Sequence, residues 1–288
     1  MPVAVDPKRA AFIAGLHAYY AVLGKFAPKL AVKSAVYWWL RLPQNKGRRK
    51  DNRPSPGEIT KLPFDDKRNL VVESWGEGPI VYLVHGWGGW RGQVCSFVEP
   101  LVGAGLRVIA FDSLSHGDSD PGEYGPKHST GGEMVASFKK VIAHFGPAHA
   151  VIGHSLGCAS ATRTLYEGAV SERLCLVSPS PDMSKLGKLF CDQIGLPERL
   201  FPDFLAENER WAHRSMDDFI IADMAGAPNL PPAHIWHDTK DKEVPHRVAE
   251  KIHANWPGST LIETVGLGHH RILIDPEVVE QVTTAAIG

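Results

Sequence analysis

Hydrophobic and polar positions along the chain switch repeatedly between a strand period and a helix period. Leu70–Glu73 and Ile80–Val84 are short β-branched runs and read as strands. Val94–Val102 has helical spacing, and Arg107–Asp112 reads as a buried strand ending in an acid. The series continues with a helix over Glu133–Phe145, a strand over Ala150–Gly153, a helix over Ser155–Glu167 and a strand over Leu174–Val177. It resumes with strands at Ile235–Trp236 and Leu261–Val265, followed by helices over Val248–Asn255 and Glu277–Thr284. Apolar strand runs, each followed by a helix, predict an α/β fold. Its sheet is mostly parallel, with helices covering both faces.

Two stretches break the series. Between residues 181 and 231, Phe190, Phe201, Phe204, Trp211 and Phe219 fall at helical or irregular spacing among Gly and Pro, which predicts an insertion after one strand. Near the start, Phe12, Leu16, Tyr19, Leu23 and Phe26 follow 4-3-4-3 spacing, one face of a helix. Pro28 breaks that helix or starts the next, which runs to about Leu40 and ends in Tyr37, Trp38 and Trp39. A basic loop, Lys46-Gly-Arg-Arg-Lys50, follows. The chain therefore divides into an amphipathic extension and linker over 1–53 and a main domain over 54–288, with the insertion at about 181–231.

Charge sharpens that division. The 288 residues carry a formal net charge of −1, but residues 1–53 hold 11 Lys/Arg against 2 Asp/Glu, a charge of +9 that leaves −10 on the rest. A composition 22% charged and 43% hydrophobic excludes collagen, coiled-coil arrays, acidic disordered tails and small disulfide scaffolds. Cys95, Cys158, Cys175 and Cys191 are widely spaced and form no CxxC pair, so reduced thiols in a cytoplasmic protein are expected. No run of 18 uncharged apolar residues predicts a spanning helix. Ala10–Gly24 is apolar, but His17 interrupts it and Lys25, Lys29 and Lys33 follow without a convincing cleavage site, so a cleaved signal is not expected.

The candidate chemistry centres on Gly153-His154-Ser155-Leu156-Gly157, a G-x-S-x-G sequence between an apolar strand and a helix. A serine on so tight a turn adopts strained backbone angles, and the positions two before and two after it must be very small. The following helix aims its first N–H groups, Leu156 among them, at the site. A serine needs a base, and the base an orienting acid. His237-Asp238-Thr-Lys-Asp241 and Val265-Gly-Leu-Gly-His269-His270 each follow a strand. The order Ser155, Asp241, His269 fits, with Asp238 and His270 as the nearest rivals. His154, His85 and His116 read as packing or loop-bonding residues. A metal set of His237, Asp238, Asp241 and His269 lacks H-x₃-H or HExxH spacing, so no metal is expected. The glycine-rich Gly86-Trp-Gly88-Gly89-Trp-Arg-Gly92 fails the dinucleotide fingerprint at Arg91, and the G-K-S/T of a P-loop is missing.

With these motifs, residues 54–288 resemble the α/β-hydrolase family, in its serine-nucleophile esterase branch. His85-Gly86-Trp87-Gly88-Gly89 looks like the family's oxyanion loop. Asp112–Ser119 resembles its D-x-x-G-H-G-x-S turn, with Ser115 in place of Gly. The stretch Trp236–Pro245 resembles its acid loop, with Asp241 at the acid position and Asp238 replacing a Gly, and Gly268-His269 matches its G-H. The resemblance implies a carboxylesterase-like enzyme, free of cofactor, that cleaves a small to medium, apolar ester, thioester or amide. Ser155, His269 and Asp241 would form its triad, and the N–H groups of Leu156 and Trp87 its oxyanion hole. It also implies that the insertion is a short helical cap. Phe190 and Trp211 in that cap, and Trp90 beside the oxyanion loop, are the pocket candidates. The alternatives are an acyltransferase or haloperoxidase on the same triad, or a non-catalytic ligand-binding protein. The basic segment has two readings, peripheral membrane contact through residues 10–50 or packing on the body or on a second copy in a homo-oligomer. Nucleic acid is not expected as a partner.

Overall fold

A computed structural model describes residues 7–43 and 51–288, with side chains from residue 10 onward; the basic run Lys46–Lys50 lies outside the described residues. In chain order the elements begin with α1 (Pro7–Phe26), α2 (Pro28–Trp39), β1 (Glu58–Pro63), β2 (Asn69–Trp75) and β3 (Ile80–Val84). A 3₁₀ stretch over Arg91–Phe97 leads into α3 (Val98–Gly103), then β4 (Arg107–Phe111), α4 (Gly131–Phe145), β5 (Ala148–His154), α5 (Leu156–Tyr166) and β6 (Ser171–Val177). The remainder is α6 (Met183–Ile194), α7 (Phe201–Ala212), α8 (Ile221–Met224), β7 (Ala233–Asp238), α9 (Arg247–Asn255), β8 (Thr260–Thr264), α10 (Gly268–Arg271) and α11 (Pro276–Ile287).

The strands form one sheet in the order β1-β2-β4-β3-β5-β6-β7-β8. β1 and β2, and β2 and β4, pair antiparallel; the other neighbours are parallel. Both faces are covered, as the apolar strands require. On β3, Val81 and Leu83 join a core with Leu101 of α3 and Val278 and Val282 of α11. Tyr82 points the other way, with its ring 5.6 Å from Phe138 of α4. Thr130 and Glu133 close a capping box that starts α4. β1 escaped the sequence reading because only Leu62 of its six residues is buried, so no apolar run marks it.

This order positions the site. The chain leaves β3 for β4 and returns to β5 on the opposite side of β3, which opens a crevice at the carboxyl ends of β3 and β5. Val84 pairs with Gly153, so these two ends are level. Farther along the same edge Asp238 pairs with Thr264, bringing together the loops after β7 and β8.

The chain forms two compact units. The first joins residues 7–41 to Asp182–Asp218, and the second holds the sheet, its flanking helices and Phe219–Gly288. The N-terminal helices and α6–α7 thus share one core, in which Tyr20, Val32, Ala35 and Val36 pack with Cys191, Ile194, Leu200 and Phe204. Helical periodicity reveals an apolar face but not its partner, which is why sequence alone separates the extension from the insertion. The stripe on α1 also divides. Leu16 and Leu23 turn toward this core beside Tyr20, while Phe12, Tyr19 and Phe26 stay exposed. All four cysteines are buried free thiols. No described helix is long and apolar enough to cross a membrane.

Candidate active site

Ser155 joins β5 to α5 with φ 54° and ψ −124°, a conformation costing a non-glycine residue on the order of 1–3 kcal/mol. The turn is held by Ser155 N–H donating to the Val177 carbonyl (3.1 Å). The Ser155 carbonyl in turn accepts from Cys158 N–H (3.0 Å) and Ser180 N–H (3.2 Å). The small flanking residues are required by close approach. A Cβ on Gly157 would lie 2.3 Å from the Val84 carbonyl oxygen, and one on Gly153 2.9 Å from the Cys158 backbone. A Cβ on Gly86, in the loop leaving β3, would lie 2.9 Å from the Ser155 Cβ, so this loop runs directly against the serine. Leu156 opens α5. Its N–H belongs to the first turn, where a helix has no internal acceptor.

Asp241 and His269 meet at the other end of the edge. His269 Nδ1–H donates to Asp241 Oδ2 at 2.7 Å, and the Asp241 side chain is fully buried. Asp241 Oδ1 accepts from Glu243 N–H (2.8 Å) and Val244 N–H (3.0 Å). Burial alone would raise this carboxyl, but the His269 bond and the two backbone donors outweigh it and hold it at about 2. The acid is thereby ionised, and its bond to Nδ1 leaves Nε2 as the other ring nitrogen of His269. His269 sits in the short helix α10. Among the described residues, the side-chain bond of this imidazole is the one to Asp241, and none joins it to the Ser155 hydroxyl; such pairs often tighten only when substrate binds.

The neighbouring candidates have different partners. Asp238 Oδ1 accepts from Lys240 N–H (2.9 Å), and its Oδ2 accepts from Thr264 Oγ1 (2.9 Å) and Leu267 N–H (2.8 Å). It ties the β7 loop to the segment that carries His269. His270 is exposed and pairs with Glu243 at 3.1 Å. His154 is buried, and its Nε2–H donates to the His269 carbonyl at 2.9 Å, so the turn before Ser155 braces the backbone of His269. Burial, reinforced by His269, pushes the His154 pKa well down and keeps it neutral.

The loop after β3 is held by a set of groups that sequence reading passed over. Arg91 Nε donates to the buried Glu73 (2.8 Å). Its Nη1 donates to the buried Asp112 and to Asp118 (3.0 Å), and its N–H to Asp112 Oδ1 (2.7 Å). Arg53 adds a second cation on Glu73 at 3.0 Å. Arg91 thus pins the glycine-rich loop to the Asp112–Ser119 turn. The sequence signal was a lone Arg at a position read only as a missing glycine. Trp90 is buried, with the Arg53 and Arg91 guanidinium groups 5.0 and 5.5 Å from its ring. Trp87 is half-buried with its ring 5.8 Å from His116. His85 donates from Nδ1 to the Gly86 carbonyl (2.8 Å) and accepts Ser113 N–H at Nε2 (3.1 Å). Burial lowers His85 to about 4, and burial together with His85 lowers His116 to about 3. In the first unit, the Phe190 ring lies 5.3 Å from Trp39 and 6.2 Å from Phe204, and Trp211 Nε1–H donates to Glu207 (3.1 Å).

Among the described residues, His246, Glu250 and Glu263 bring three ligand-type atoms within 4.8 Å of one another. They lie at the start of α9 and on β8, and none is a member of the serine, acid and histidine set.

The alpha/beta hydrolase family model matches residues 81–282. Among curated proteins, the chain is 31% identical over 134 residues to a probable protein phosphatase methylesterase 1 of Caenorhabditis elegans, covering 41% of this chain and 36% of that protein. It is 30% identical over 150 residues to a non-heme chloroperoxidase of Streptomyces lividans, covering 49% and 51%. It is 30% identical over 162 residues to a pimeloyl-[acyl-carrier protein] methyl ester esterase of Nitrosospira multiformis, covering 55% and 59%. The matches thus span between about a third and three fifths of these relatives. In fold, the chain is similar to an esterase from Exiguobacterium antarcticum, with TM-score 0.59 and 20% identity over 81% of this chain and 100% of that one. The family match takes in well over half of the chain, and the chain belongs to the alpha/beta hydrolase family.

Proposed function

We propose that the protein is a serine hydrolase that cleaves carboxylic esters through an acyl-enzyme. The observation that carries this reading is the 2.7 Å bond between His269 and the buried Asp241, on the same strand-end edge as the strained Ser155. His269 Nε2 takes the Ser155 proton as Oγ attacks the ester carbonyl, and Asp241 stabilises the imidazolium that forms. The N–H groups of Leu156 and Trp87 hold the developing oxyanion. The alcohol leaves with the proton from His269. Water, deprotonated by the same imidazole, then releases the acid and restores Ser155. Relatives named as esterases support an ester as substrate. Thioesters and amides suit the same steps, and the substrate class is small to medium and apolar.

A second reading has support from the relatives named as a chloroperoxidase, a haloperoxidase and a bifunctional esterase/perhydrolase. Hydrogen peroxide in place of water would attack the acyl-serine, leaving a peracid and free Ser155. A fluorophosphonate probe with a panel of p-nitrophenyl esters of increasing chain length tests both. The expected result is labelling of Ser155, and hydrolysis that falls roughly 10⁴–10⁶-fold in Ser155→Ala with the fold retained. Unchanged hydrolysis in that variant would overturn the assignment. Peracid formed faster than acid when peroxide is added would favour the second reading.

A further inference from the structure

The first unit carries an apolar surface that its own core does not use. Fourteen large apolar side chains are exposed among the described residues, and seven lie on α1 and α2: Phe12, Tyr19, Val22, Phe26, Leu30, Tyr37 and Trp38. Phe12, Tyr19 and Phe26 recur every seven residues, so they form one stripe along α1 beside the face that packs inward through Tyr20 and Leu23. Phe12 is 71% exposed, Phe26 76% and Val22 59%, values far from a core position. α2 repeats the arrangement. Ala31, Val32, Ala35 and Val36 are buried, while Leu30, Tyr37 and Trp38 face out. Both helices are thus apolar on two sides, a pattern that calls for cover on the second side as well.

Charge identifies the cover. Residues 7–41 contain six Lys/Arg and no Asp or Glu. Cations sit directly on the exposed aromatics, with Arg41 4.9 Å from the Trp38 ring and Lys25 5.4 Å from the Phe26 ring. Aromatic rings and long cationic side chains on one surface match the headgroup layer of an anionic bilayer, where rings sit at the boundary between headgroups and acyl chains and cations among the phosphates. No described helix is long and apolar enough to span, and the inner faces of α1 and α2 are already packed. We infer that α1 and α2 are a peripheral docking surface for anionic phospholipid membranes, with both helices lying flat in the interface. This holds whatever the protein hydrolyses.

The test is sedimentation of the full chain with phosphatidylcholine vesicles and with vesicles containing phosphatidylglycerol. It is run alongside the Phe12→Ser/Phe26→Ser and Lys25→Glu/Lys29→Glu variants. Lys33 is left unchanged because it lies near Glu207 of α7. The expected result is binding to the anionic vesicles that weakens with salt and falls about tenfold or more in each variant, with ester hydrolysis in solution unchanged. Equal binding to neutral vesicles, or no binding to either, would overturn the inference. So would a wild-type dimer that both variants convert to monomer, because the face would then be covered by a second copy.

Discussion

Ser155 holds a strained backbone between β5 and α5. Its φ of 54° suits glycine, and replacing it by glycine removes both the hydroxyl and the strain. Ser155→Gly is expected to abolish ester hydrolysis while raising stability by about 1 kcal/mol, read as a higher urea midpoint. A lower midpoint would show that the elbow is not strained. The two acids after β7 separate in the same way. Asp241→Asn leaves His269 without the partner that sets its tautomer, and kcat should fall on the order of 10⁴-fold with little loss of stability. Asp238→Asn turns an acceptor of Thr264 and Leu267 into a partial donor. It should cost about 2 kcal/mol of stability and a much smaller factor in kcat. Kinetics and urea unfolding of both variants check this, and the reverse ranking would exchange their roles.

At the scale of elements, the sheet edge gathers groups far apart in sequence, and one cation anchors a loop there. Arg91 stands between Glu73 of β2 and Asp112 at the end of β4, and both acids are buried. Arg91→Met leaves two buried carboxylates with too little countercharge, which costs roughly 3–5 kcal/mol in comparable sites. A thermal melt of this variant should fall by many degrees, and esterase activity should fall with it as the Gly86 loop loosens. An unchanged melting temperature would remove Arg91 from this role. Apart from β1, the strands and helices of the sheet were legible in sequence because apolar runs and helical spacing are local. So was the elbow, since Gly153 and Gly157 record contacts within a few residues or with the adjoining strand end. The Arg91 set was not legible, because an ion pair joining positions 53, 73, 91 and 112 leaves no periodic trace. The partner of α1 and α2 was hidden for the same reason.

For the whole molecule, buried histidines set the response to acid. His85 and His116 are lowered to about 4 and about 3, and His154 and His237 are lowered as well, each mainly by burial. The unfolded chain therefore binds more protons than the folded one below the ordinary histidine value. The histidines' contribution to stability rises with pH from about 3 to about 6.5 and is lost on acidification through that window, opposed in part by Asp112 and Glu133, whose carboxyls burial raises. His85 alone accounts for about 3 kcal/mol by pH 4. Asp241, held at about 2, adds a loss at still lower pH in the same direction. The urea midpoint should drop steadily from pH 7 to pH 4.5, and a flat profile would show that these rings are hydrated.

The shared core of residues 7–41 and Asp182–Asp218 has a consequence for synthesis. The first two helices leave the ribosome long before the segment that buries Tyr20, Val32 and Val36. At about 5–20 residues per second, the intervening chain takes roughly seven to thirty seconds to appear. Through that wait both apolar sides of α1 and α2 are uncovered, and a nearby bilayer or a chaperone is the surface they meet first. On the docking inferred above, the nascent chain would meet a membrane before Asp241 and His269 are made.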